Sequence, residues 1–91
     1  MKLKIHDFIS DIIKLKEKQH KNLDTSHYIS NLSYGTSYAR FTVHYRGTVT
    51  DEKIKKIAIS LEQKYDVIVE YFRDKITEVH SIIHFIIQKI A

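Results

Sequence analysis

Apolar positions in the first twenty residues recur at helical spacing. Ile5, Phe8, Ile9, Ile12 and Leu15 fall on one stripe, with Asp11, Lys14 and Lys18 off it, which predicts a helix over residues 4–21. Asp7 and Asp11 lie towards its start, and Lys14, Lys16, Lys18 and Lys21 towards its end, as the helix macrodipole favours. Asn22 is a fitting left-handed stop.

From residue 27 the period drops to two. Residues 27–46 are rich in Tyr, Ile, Thr, Phe and Val around a Tyr34-Gly35-Thr36-Ser37 turn, which predicts a β-hairpin. In its second strand Ala39, Phe41, Val43 and Tyr45 share one face, and Tyr38, Arg40, Thr42, His44 and Arg46 share the other. A four-residue loop pairs Ser33 with Tyr38 and sets Tyr28 and Leu32 beside Val43 and Ala39 on the apolar face. The same register sets His27 opposite His44 and turns Ile29 to the polar face. A three-residue loop would shift the pairing by one and flip the first strand. The first register is preferred because it segregates apolar from polar side chains better.

The pattern then returns to a helical period over residues 51–64. Ile54, Ile57, Ala58 and Leu61 lead towards Tyr65 on the buried stripe. Thr50 is the N-cap, Asp51 and Glu52 occupy the first turn, and Val49 with Ile54 holds the positions of a hydrophobic staple. Residues 66–72 read as a strand and Arg73-Asp74-Lys75 as a turn. Residues 75–90 fit two templates. As a strand, Val79, Ile83, Phe85 and Ile87 share one face, opposite His80, Ile82, His84 and Ile86. As a helix, Ile76, Val79, Ile83, Ile86 and Ile90 form a stripe. The stiffness of isoleucine at χ1 and its fit to pleated sheets favour the strand.

The expected fold is therefore α+β, a two-layer sandwich of αββαββ order. Two helices cover one face of a four-stranded antiparallel sheet, with αββαβα as the alternative. At 91 residues the chain is expected to be one domain, residues 1–91.

Composition narrows the function classes. Hydrophobic residues make up 43% and charged residues 29%, the balance of an ordinary globular domain rather than a disordered or membrane-bundle chain. The absence of cysteine excludes disulfides, a thiolate nucleophile and cysteine-ligated metal. Two glycines and no proline leave no Gly-rich phosphate loop. No nucleophile elbow, metalloprotease spacing or isolated triad stands out, so no enzyme, no cofactor and no small-molecule substrate are expected. Asp7 and Asp11 break the apolar stretch near the start, and no run approaches the roughly 20 residues of a membrane helix. The chain is accordingly expected to be complete, cytoplasmic and free of membrane partners.

The uncovered sheet face is the candidate site. On it the expected partner-binding residues are Ile29, Tyr38, Arg40, His44 and Arg46 from the first hairpin, and Ile68, Phe72, Ile82 and Ile86 from the second. Large apolar groups on a face with no helix to cover it mark a partner surface or a homodimer interface. Net charge is +4, and residues 25–50 carry Arg40 and Arg46 with no acid at all. That gives the alternative function, a small basic nucleic-acid-binding protein using Lys14, Lys18, Arg40 and Arg46 with the tyrosines. Six histidines invite a metal reading, but His27 with His44 and His80 with His84 make two separate pairs, so no metal is expected. Isoleucine outnumbers leucine fifteen to five and lysine outnumbers arginine twelve to three, ratios that AT-rich codon usage produces. The expectation drawn from size and composition is a non-enzymatic protein-interaction module, such as an inhibitor or accessory factor of a phage or other mobile element.

Overall fold

The two stripes and four alternating segments become α1 (Ile5–Gln19), β1 (His27–Tyr34), β2 (Tyr38–Arg46), α2 (Asp51–Lys64), β3 (Val67–Ile76) and β4 (His80–Lys89) in a computed structural model that describes residues 2–19 and 27–90. The order is αββαββ and the class α+β. All strand pairings are antiparallel and the sheet runs β1-β2-β4-β3. β2 and β3 therefore point the same way, and α2 links them across one face with β4 between them, a split β–α–β unit. Residues 80–89 form a strand and not a helix: alternate side chains are buried from Ser81 to Ile87, as an interior strand requires.

One hydrophobic cluster joins the layers. Ile5, Phe8, Ile9 and Ile12 of α1 and Ile54 and Ala58 of α2 meet Phe41 and Val43 of β2, Val67 and Val69 of β3, and Ile83, Phe85 and Ile87 of β4. At its centre the Phe41 and Phe85 rings stack across the β2–β4 pair, 5.3 Å between centroids. Phe8 meets the Tyr65 ring edge-on at 5.2 Å, and the Tyr65 hydroxyl donates to the Asp11 carboxylate at 2.6 Å. Burial and that carboxylate raise the hydroxyl's pKa, so it remains a donor. Thr50 caps α2 by accepting from the Lys53 N–H, and Val49 and Ile54 are both buried, as their staple positions predict.

Each helix also sends a polar side chain to an edge strand. The Gln19 amide accepts from the Ile29 N–H at 2.6 Å and donates to the Ile29 carbonyl at 3.1 Å, filling both bonds that an edge residue leaves open. Glu62 of α2 accepts from the Val69 N–H of β3, the other edge, at 3.0 Å. Both contacts blunt edges that would otherwise template further strand pairing.

The hairpin register differs from the preferred one. At the turn Tyr34 pairs with Ala39 and Ser33 with Arg40, and beyond a one-residue shift His27 pairs with Tyr45, Tyr28 with His44 and Ile29 with Val43. Ile29 is thus core, at 6% exposure, and not part of the uncovered face. Gln19 holds its backbone while its side chain packs into the cluster. A bulge between Ser30 and Ser33, with Asn31 at φ 53°, then adds one residue to β1. Asparagine tolerates that left-handed conformation. The bulge lets Leu32 pack against the core as well, so two apolar residues that a regular strand would split share one side.

The second hairpin turns later than its charge cluster suggests. Arg73 and Asp74 belong to β3, and the turn falls at residues 77–79. Thr77 organises it: its hydroxyl accepts from the His80 and Val79 N–H groups, and its own N–H donates to the His80 carbonyl. Val79 therefore sits exposed in the turn, outside β4. The buried inward position falls to Ser81, whose hydroxyl donates to the Gly47 carbonyl and accepts from the Val49 N–H. Gly47 holds φ 89°, a conformation that favours glycine, where β2 leaves for α2. Leu15 is half-exposed rather than core. The expected α1 end at Lys21 and Asn22 lies outside the described residues.

Phe85→Ala empties the centre of the cluster and should cost about 3–5 kcal/mol in urea denaturation. Gln19→Ala removes two edge bonds and should cost about 1–3 kcal/mol, with faster amide exchange confined to β1. Unchanged exchange in β1 would show that this contact does not hold the strand.

Candidate functional site

Alternation along β2, β3 and β4 drives one set of side chains into the helix layer and leaves the other set uncovered. Pairing arranges the second set in rows. Tyr28, His44 and Ile82 form one row, Ser30, Thr42, His84 and Phe72 the next, then Ser33, Arg40, Ile86 and Glu70, then Tyr38, Gln88 and Ile68. Arg46 pairs with His80 beyond the first row.

Tyr38, Arg40, His44, Arg46, Ile68, Phe72, Ile82 and Ile86 thus share the uncovered face, as their alternation predicts. Phe72 is 54% exposed and Tyr28 48%, while Ile82 and Ile86 are half-buried between them. Lys14 and Lys18 are exposed on α1, in the layer behind the sheet, so they do not join Arg40 and Arg46 in one patch. Tyr28 is the residue that sequence reasoning missed. It stacks on His44 with centroids 4.4 Å apart and rings 2° from parallel. Reading Asn31 as a bulge residue would have found it.

The middle of the face is a hydrogen-bonded histidine layer. Ser30 Oγ lies 2.8 Å from His44 Nε2, and His44 Nδ1 lies 3.4 Å from His80 Nε2. Thr42 Oγ1 lies 2.9 Å from His84 Nδ1, and His84 Nε2 lies 3.1 Å from Asp74 Oδ2. His27 does not face His44. Its ring lies 5.6 Å from that of Tyr45.

Carboxylate, imidazole and hydroxyl in this order suggest a nucleophile relay, but Thr42 lies under the rings at 4% exposure. A nucleophile must meet its substrate, and this hydroxyl serves to fill the hydrogen-bond needs of a buried position. Among the described residues no three His, Asp or Glu side chains are grouped to hold a metal ion, and no helix is long and apolar enough to cross a membrane. Comparisons with protein-family models, with curated proteins and with solved structures found no match to this chain.

Burial holds the His44 pKa below its ordinary value, and the neighbouring His80 and His84 push it the same way. The contact between two ring nitrogens adds a reason. It needs one N–H and one bare nitrogen, so full protonation of both rings turns N–H against N–H. His84 Nε2 faces the Asp74 carboxylate, whereas the His44 ring nitrogens face Ser30 and His80.

The unfolded chain takes up a proton at His44 near pH 6.5, before the folded one does, so stability is lost as pH falls from about 6.5 towards the lowered value. Thermal melts between about pH 7.5 and 5 should show this loss, and His44→Gln should flatten it. A variant with the wild-type slope would assign the titration to another group.

Proposed function

We propose that this protein is a non-catalytic interaction module that docks the uncovered face of its sheet on a second copy of itself. The observation that carries the reading is the one-sided helix layer. Both helices bury against the same face, and the other keeps Tyr28, Tyr38, Ile68 and Phe72 exposed around half-buried Ile82 and Ile86. Contiguous aromatic and aliphatic groups of this kind favour a protein surface.

Charge on the face supports a second copy. The β1–β2 half carries Arg40 and Arg46 and no carboxylate, while β3 has Glu70 and Asp74 against the single Lys75, paired with Ile82, on the same side, a net negative charge. A two-fold axis running along the strands between two stacked sheets lays the basic half of each copy over the acidic half of the other. An isologous interface requires that self-complementarity. An axis across the strands would instead oppose like charges.

Nucleic acid is the competing occupant. It would use Arg40 and Arg46 with Tyr28 and Tyr38, without Lys14 and Lys18 on the far layer. Sedimentation equilibrium should find a dimer in the micromolar range, and Phe72→Glu, at an exposed position, should give a folded monomer. A monomeric wild type would overturn the reading. So would single-stranded nucleic acid bound at about 50 mM salt with a steep salt dependence and lost in an Arg40→Ala, Arg46→Ala double variant.

A further inference from the structure

The histidine layer straddles the β2–β4 seam, the middle of the sheet. His44 of β2 pairs with Ile82 of β4, and at the next outward-facing pair Arg46 of β2 meets His80 of β4. A two-fold axis along the strands and over this seam keeps each residue at its own level and exchanges β2 of one copy with β4 of the other. Side chains on the inner faces of two aligned, stacked sheets interdigitate. Docking would therefore lay Ile82 of the second copy over each His44 ring, and Arg46 of the second copy over each His80 ring.

His44 is half-buried before any docking. Tyr28 of β1 stacks on one side of its ring and His80 of β4 on the other. Ser30 Oγ of β1 meets its Nε2 and His80 Nε2 meets its Nδ1, so neither ring nitrogen faces a carboxylate. His27, Tyr45 and Arg46 share the same corner of the face. From β3, Lys75 pairs with Ile82, and Asp74 is bonded to His84 at 3.1 Å. A positive charge on His44 thus has Arg46 and two imidazoles for neighbours and no acid in contact. Burial holds its pKa below the ordinary value, and His80 and His84 add to the effect. The Tyr28 ring attracts a cation, but too weakly to reverse that direction. An apolar cover from a second copy would remove the solvent that remains.

We infer that proton uptake at His44 releases the two copies, so that the assembly holds near neutral pH and parts into folded monomers in mild acid. This regulation rests on the docking reading and deepens it. The docked ring takes up a proton less readily than the free one. As pH falls below about 6.5 the monomer is protonated first, and association weakens. Each copy contributes one ring, so the dissociation constant rises by up to about a hundredfold per pH unit while only the free ring is charged. Carboxylates titrate near pH 4, below this window.

The test is sedimentation equilibrium of wild type, His44→Gln, His44→Arg and His27→Gln at about pH 7.5 and 5.5, with circular dichroism to follow the fold. Wild type should be a dimer at the higher pH, and its dissociation constant should rise at least about tenfold at the lower, with the fold kept. His44→Gln, uncharged and able to bond Ser30, should stay dimeric at both. His44→Arg should be a folded monomer at both. His27→Gln, whose ring lies beside Tyr45, should follow wild type. Dilution of wild type at about pH 6, in two buffers of different ionisation enthalpy, should show proton uptake on dissociation and needs no substitution. A wild-type dimer equally tight at both pH values, a His44→Gln variant with the wild-type response, a dimeric His44→Arg, dilution without proton uptake, or loss of the fold together with the dimer would each overturn this regulation and leave the docking standing. A wild type monomeric at the higher pH would overturn both.

Discussion

The antiparallel seam between β2 and β4 is the constraint on which the rest of the molecule depends. It joins two helix–hairpin units that are each too small to bury a core alone, and it does so with both faces specified at once. On the helix side it opposes Ala39 to Ile87, Phe41 to Phe85 and Val43 to Ile83. On the other side it opposes Arg40 to Ile86, Thr42 to His84 and His44 to Ile82. A slip of one residue would carry the phenylalanines to the uncovered face and the histidines into the core. The stacked Phe41 and Phe85 rings therefore set the position of the histidine layer behind them.

The uncovered face is neither a bare apolar patch nor a polar surface. Its centre is sealed by bonded imidazoles over a buried threonine, its rim carries exposed aromatics, and its charge divides between the two hairpins. The sealed centre makes it rigid, which suits docking without much loss of side-chain freedom.

The two halves solve the edge-strand problem alike. Gln19 reaches Ile29 on one edge, and Glu62 reaches Val69 on the other. Neither contact was legible in the sequence, because a glutamine and a glutamate near helix ends are ordinary solvated residues until a strand edge is brought beside them. The bulge at Asn31 was hidden for a related reason. Alternation alone rewards an unbroken strand, and only burial of both Ile29 and Leu32 against the helices repays the extra residue.

The sequence by itself determined the element order, the α2 boundaries with their Thr50 cap, the strand character of β4 and the inward and outward sets of β2, β3 and β4. These are local properties: the period of the apolar residues, the capping chemistry and the χ1 stiffness of isoleucine act over a few positions and need no distant partner. Tertiary structure decided the register of β1, the place of the Thr77 turn and the pairing of His44 with Tyr28 and His80. Each of these joins residues far apart in the chain. They follow from which register buries most apolar surface while leaving no buried polar group without a partner, a balance struck only when all six elements are in place.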